Sequence, residues 1–203
     1  SLVYGSVLAW RQTDLKRLIA YSSVAHMGVV LLGIATLNHA GLAGAVYQMV
    51  AHGLAAGLLF LLVGIVYQRT HTRQLDEIGA LSAQAPRLAA FLAIGFLAAA
   101  GLPPGAGFIA ELHVLIGAFG RWQGWVVPLS LAMLIGAAYA LRIIGRLCLG
   151  TRPHAMPLAD LGRAESAAAG LLVAGLVVTG IHPAPLLAVS SATLAGIARL
   201  FGN

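Results

Sequence analysis

Gly101-Leu-Pro-Pro-Gly-Ala-Gly-Phe-Ile-Ala-Glu111-Leu-His113 interrupts an apolar run that extends from Leu88 to Phe119. Two prolines and three glycines crowd residues 101–107, so a helix cannot continue through them. A break there leaves backbone groups that need other partners. Four residues further on stands Glu111, a lone carboxylate where charge is costly. Such a group usually faces a protein interior or a wet cavity and marks an ion or proton path. A broken membrane helix carrying one acid therefore points to transport.

The rest of the 203-residue chain agrees. It is 60% hydrophobic and 9% charged, with a mean hydropathy of +0.91, more apolar surface than a soluble domain of this size needs. Its apolar runs are about 20 residues long and rich in Ala and Leu, as membrane helices require and barrel strands do not. The reading is an all-α polytopic membrane protein with about five full transmembrane helices, a partial first one and one helix broken at Pro103-Pro104. Residues 1–203 form one membrane domain. The net charge of +6 lies in short loops between spans and is better read as a topology signal than as a nucleic-acid surface. Cys148 is the only cysteine, which leaves no disulfide framework and no thiolate metal site. The sequence contains no phosphate loop, zinc signature or nucleophile elbow, so any redox chemistry belongs to another chain.

The opening residues, Ser1 to Trp10, are apolar but too short to span, and read as the tail of a helix begun upstream in a longer or split subunit. Spans are then expected over residues 18–37, ending at Asn38-His39-Ala-Gly41 as a helix stop, and over 42–67, 88–119 (broken), 125–149 and 167–181. Residues 186–201 are expected as an interfacial helix. Loops after alternate spans share a side of the membrane. One side collects Arg11, Lys16, Arg17, Arg69, Arg73, Arg87, Arg146, Arg152 and Arg163, the other only Arg121 and Arg199. That bias places the first set in the cytoplasm of a cell with this multi-pass chain in its inner (plasma) membrane, and the C-terminus outside. Trp10, Trp122 and Trp125 fall at span ends, as an aromatic belt would. Arg142, inside the fifth span, either snorkels or pairs with a carboxylate.

Three ionisable groups fall at one depth. At 1.5 Å per residue, His26 lies roughly 14 Å from one surface, and His52 and Glu111 roughly 16 Å and 13 Å from the other. All three sit near the middle of a core about 30 Å thick. Histidine exchanges protons near neutral pH and a carboxyl can join it, so the row could pass protons. Gly53 and Gly57 beside His52 are expected to serve close helix packing. His113, two residues from Glu111, belongs to another helix face. Lys16, at a helix entrance, is by default a topology residue and only weakly a relay candidate.

Gln12-Thr-Asp-Leu-Lys-Arg-Leu-Ile-Ala-Tyr-Ser-Ser-Val-Ala-His26-Met-Gly, Tyr47-Gln-Met-Val-Ala-His52-Gly, Arg69-Thr-His-Thr-Arg73, Leu102-Pro-Pro-Gly-Ala-Gly-Phe-Ile-Ala-Glu111 and Gly180-Ile-His-Pro-Ala-Pro-Leu-Leu resemble the antiporter-like membrane subunits of respiratory complex I. The resemblance covers nearly the whole chain. Glu111, where related chains typically carry lysine, and the Arg69–Arg73 loop match the chain M branch. The resemblance implies a proton-translocating subunit of the membrane arm of NADH-quinone oxidoreductase. Glu111 would be the terminal proton site, His52 part of the connecting relay and His26 another residue of the polar axis. It implies partners in the other membrane-arm subunits, the lipid bilayer and protons, with no nucleic acid. It also implies no cofactor in this chain, with quinone, flavin and iron–sulfur clusters in partner subunits. Only the last part of the family's pattern is present, from the end of its ninth helix. Pro103-Pro104 stands where proline-glycine is usual. The same motifs are shared by subunits of membrane-bound hydrogenases, formate hydrogenlyase and multisubunit cation/proton antiporters, and a packing scaffold without transport is a third reading.

Overall fold

The computed structural model describes residues 1–150 and 158–201. Within them the chain is helical, and a single antiparallel bridge, between Asp14 and Gln74, is the only extended pairing. The helices are α1 (Leu2–Arg11), α2 (Leu15–Ala35), α3 (His39–Thr70), α4 (Leu81–Gln84), α5 (Pro86–Ala99), α6 (Ala106–Trp122), α7 (Val126–Ile144), α8 (Arg163–Ile181) and α9 (Ala184–Leu200). A 3₁₀ turn, Gln123–Trp125, separates α6 from α7, and a π turn, Gly145–Leu149, closes α7.

Capping side chains set the boundaries. Asp14 accepts a hydrogen bond from the Arg17 amide at 2.9 Å, so α2 starts earlier than its hydropathy suggests. The expected stop at Asn38–Gly41 is instead a start: the Asn38 side chain accepts from the Gly41 amide at 2.9 Å and caps α3. α2 ends before it, where Thr36 donates to the Gly33 carbonyl at 2.8 Å and Leu37 turns to a φ of 55°. α3 has 32 residues, about 48 Å at 1.5 Å per residue, well beyond an apolar core of about 30 Å.

α3 is the central post, with α2, α5, α6, α8 and α9 packed around it. Leu58, Leu59 and Leu62 of α3 are buried with Leu15, Leu18, Leu88 and Leu92. Lipid tails are as apolar as these side chains, so close van der Waals fit has to drive the packing. At the α3–α6 crossing a Cβ on Gly44 would stand 2.6 Å from the Val114 nitrogen, and one on Gly117 would strike the Gly41 backbone. Gly53 and Gly57 do not serve in this way. They lie on the exposed side of α3, where a Cβ on either would meet nothing within 4 Å.

The expected break falls at residues 100–105, between α5 and α6, which together make one interrupted crossing. Leu15–Ala35, His39–Thr70, Ala106–Leu149 and Arg163–Ile181 are long and apolar enough to cross a membrane, and the third of these folds back at Gln123–Trp125 into two helices. Leu171 is 74% exposed and Leu134 63%, surface that lipid or further helices would cover. α9 packs Leu194 and Ala198 against Leu42 and Ala43 at the start of α3.

One end of the bundle is tied together by polar contacts. Arg73 pairs with Asp14 at 3.6 Å, Arg146 with Asp76 at 2.7 Å and Arg69 with Glu165 at 2.6 Å. Asp160 accepts from the Arg87 and Leu88 amides at 3.1 and 3.0 Å. The loops expected on one side thus lie together, while Arg152 falls outside the described residues. Arg142 pairs with no carboxylate among the described residues and instead reaches the C-terminal end of α1. It donates to the Trp10 carbonyl at 2.9 Å, with its guanidinium 5.4 Å from the Trp10 ring centre. It thereby satisfies a terminal carbonyl of α1 that the helix itself cannot pair.

Candidate functional site

Glu111 is placed by the break. Gly101 has a φ of +66°, a conformation side chains rarely adopt, and a Cβ there would collide with the Glu111 carboxylate. A left-handed glycine at the end of α5 therefore lets the acid, five residues into α6, fold back against the interrupted backbone. His26 on α2 is 9% exposed. Its Nδ1 lies 3.2 Å from Gln48 Nε2 on α3. The His26 and His52 rings are 5.0 Å apart, tilted by 38°.

Two small cavities link these groups. The first, about 20 Å³, is lined by Glu111, His26, Tyr139 and Ser6, with Ala99 and Gly136. The second, about 10 Å³, is lined by His26, Gln48 and His52, with Ala98, Ala99 and Gly107. Each is about the size of a single water. His26 borders both, and so stands between Glu111 and His52. On the other side of Glu111 a cleft of about 300 Å³ runs between α6 and α7, lined by Gly101, Leu102, Leu112, Ser130, Met133 and Leu134. The order is cleft, Glu111, His26, His52. Tyr139, on α7, shares the first cavity with Glu111 and His26.

Of the residues singled out from sequence, Glu111, His26 and His52 come together. Lys16 does not: it is exposed in the first turn of α2, ten residues before His26. His113 bonds within its own helix, Nδ1 to the Ile109 carbonyl at 2.8 Å, and lines neither small cavity. The residues missed are Gln48, Tyr139 and Ser6. Gln48 had a signal, since it precedes His52 by four positions and so shares its helix face. Among the described residues no group of three His, Cys, Asp or Glu side chains is placed to hold a metal ion. The arrangement offers titratable groups in series, which is proton-transfer chemistry.

Comparison with known proteins sets this geometry in context. Residues 1–136 match the NADH:quinone oxidoreductase/Mrp antiporter transmembrane family. NADH-quinone oxidoreductase subunit M of Pseudomonas aeruginosa is 39% identical over 202 residues, which is 99% of this chain and 40% of that protein. The chain thus spans about two fifths of the length of that curated relative. A chain of respiratory complex I from Thermus thermophilus with bound NADH superposes with a TM-score of 0.94 at 33% identity, over 100% of this chain and 43% of that one. A chain of the Mrp complex from Dietzia sp. DQ12-45-1b superposes with a TM-score of 0.84 at 21% identity, over 97% and 44%, a likeness of fold.

Proposed function

The chain belongs to the NADH:quinone oxidoreductase/Mrp antiporter transmembrane family, and from that premise we propose that it carries the last part of a proton-translocating, membrane-arm subunit of NADH-quinone oxidoreductase. The observation that carries the proposal is the shared wall: His26 borders the cavity of Glu111 and the cavity of His52. Glu111 exchanges a proton with the cleft between α6 and α7, His26 takes it across the first cavity, and His52 continues the path. A low-dielectric setting makes the charge of each group strongly felt by the next, so quinone reduction elsewhere in the complex can bias the row.

Partners are the other membrane-arm subunits and the lipid bilayer, in the cell inner membrane with the Arg- and Lys-rich loops cytoplasmic and the C-terminus outside. Quinone, flavin and iron–sulfur clusters belong to partner subunits. With Cys148 its only thiol, this chain lacks the set of cysteine ligands that such a cluster takes. Among superposed chains, the 33% identity to the complex I chain, against 21% to the Mrp chain, favours this reading over a stand-alone antiporter.

The test is Glu111→Gln in the complete subunit within its native assembly. Proton uptake into inverted membrane vesicles and coupled NADH turnover should both fall by about tenfold or more, with normal subunit content on native gels. Full pumping by a well-assembled variant would remove Glu111 from the path.

A further inference from the structure

We propose that Gln48 is a positioning residue that keeps His26 hydrogen-bonded in either of its neutral tautomers, so that the ring can pass protons repeatedly; this rests on the relay reading above. Gln48 is 2% exposed, and its Nε2 lies 3.2 Å from His26 Nδ1. Its Oε1 and the other ring nitrogen, His26 Nε2, are both buried without a hydrogen-bond partner among the described residues. Gln48 lines the cavity that His26 shares with His52. The pair is therefore half used: one end of the amide holds one ring nitrogen, and one group of each residue is left over.

A carboxamide presents a donor at one end and an acceptor at the other, exchanged by a half turn. With its NH₂ toward Nδ1, the ring carries its proton on Nε2. With Oε1 toward Nδ1, the ring carries its proton on Nδ1. In a transfer, the unprotonated nitrogen takes one proton, the ring is briefly imidazolium, and the opposite nitrogen releases one proton. One proton enters, one leaves, and the neutral ring is left as the other tautomer. A half turn of the Gln48 amide pairs Nδ1 in that state as well. A carboxylate at this position can only accept, so it holds the ring with the proton on Nδ1. An aliphatic side chain pairs neither form. The titratable groups facing His26 across its two cavities are His52 from α3, Glu111 from α6 and Tyr139 from α7, while α1 contributes Ser6 and α5 only alanines.

The experiment compares Gln48→Leu, Gln48→Glu and His26→Ala in the complete subunit within its assembly. Vesicle proton uptake and NADH turnover are measured from weakly acid to weakly alkaline pH and expressed as ratios to the unmutated complex. Gln48→Leu should slow proton uptake about tenfold at every pH. Gln48→Glu, nearly isosteric, should be slow at neutral and alkaline pH and recover as pH falls, because a protonated carboxyl again donates and accepts. A packing role alone predicts no such pH-dependent recovery. If Gln48→Leu does not accumulate, the pH profile of Gln48→Glu decides alone. Wild-type rates and profiles in both Gln48 variants, with His26→Ala impaired, would overturn this proposal and leave the relay standing. Unimpaired pumping by His26→Ala would overturn the relay, and the Gln48 proposal with it.

Discussion

The contact between Gly101 and Glu111 shows how little room the acid has. Any side chain at 101 meets two obstacles, a φ of +66° and the carboxylate itself. The conformational cost for alanine is about 1–2 kcal/mol, and relief of the clash must come from moving Glu111 out of its cavity. Gly101→Ala should therefore lower both the thermal midpoint of the assembled complex and its proton uptake. Gly170→Ala, at a position with nothing within 4 Å of a Cβ, should change neither. Equal behaviour of the two variants would refute the placement of Glu111 by the break. At this scale the ionisable candidates were legible in sequence, because Glu111, His26 and His52 stand out in apolar runs. Tyr139 and Ser6 were not, since an uncharged polar side chain in a span is ordinarily satisfied within its own helix, and the spacing of Gln48 from His52 placed it only on that helix face. Only the fold shows that Gln48 faces His26 from a different helix.

The long helices were legible in existence and type, and less so at their ends, while the short α4 within residues 68–87 was not expected. Hydropathy marks where a helix is buried, whereas the start of a helix is set by whichever side chain satisfies its free amides. Asp14 and Asn38 do this locally, and Asn38 reads as a stop in sequence because a polar residue before a glycine fits either role. The cap on α5 comes from far away in sequence: Asp160 accepts from the Arg87 and Leu88 amides, a partnership no local pattern reveals. Partial burial opposes the Asp160 charge, but the amides of Leu88, Leu161 and Arg87 outweigh it and hold the carboxyl below its usual range. A carboxyl lowered in the folded state stabilises the fold above its unfolded pKa, about 3.9, and that contribution fades as pH falls through the folded value. Asp160→Ala should cost about 1 kcal/mol at neutral pH, read as a lower thermal midpoint of the complex in detergent. The gap between variant and wild type should narrow once the pH drops below about 4. A gap that stays constant into acid would mean that the Asp160 charge does not support α5.

For the whole molecule, the distribution of charge ties fold to orientation. Five of the six carboxylate residues, Asp14, Asp76, Glu77, Asp160 and Glu165, stand in the loops and helix ends that also hold most of the cations, and only Glu111 stands apart within the bundle. Three ion pairs and the Asp160 cap knit that end together. Each exposed pair is worth little by itself, about 0–1 kcal/mol, so their consequence is geometric: they hold the ends of α2, α3, α7 and α8 beside the start of α5. The opposite end has Arg121 and Arg199 and no acid. Since orientation follows the count of Lys and Arg near span ends rather than net charge, neutralisation of the first end by its own acids should not reverse the molecule. Its direction can be read with single cysteines introduced into a complete subunit whose other reactive thiols have been replaced, and Cys148 itself is buried. Glu77→Cys, exposed at the charged end, should react with a membrane-impermeant thiol reagent in inverted vesicles and stay unlabelled in intact cells. Gly124→Cys, exposed in the turn before α7 with open space around it, should show the reverse pattern. Exchange of the two patterns would invert the membrane orientation and put the cleft beside Glu111 on a path from the other compartment, while labelling of both sites from one side would break the crossing of α6 or α5 on which the relay depends.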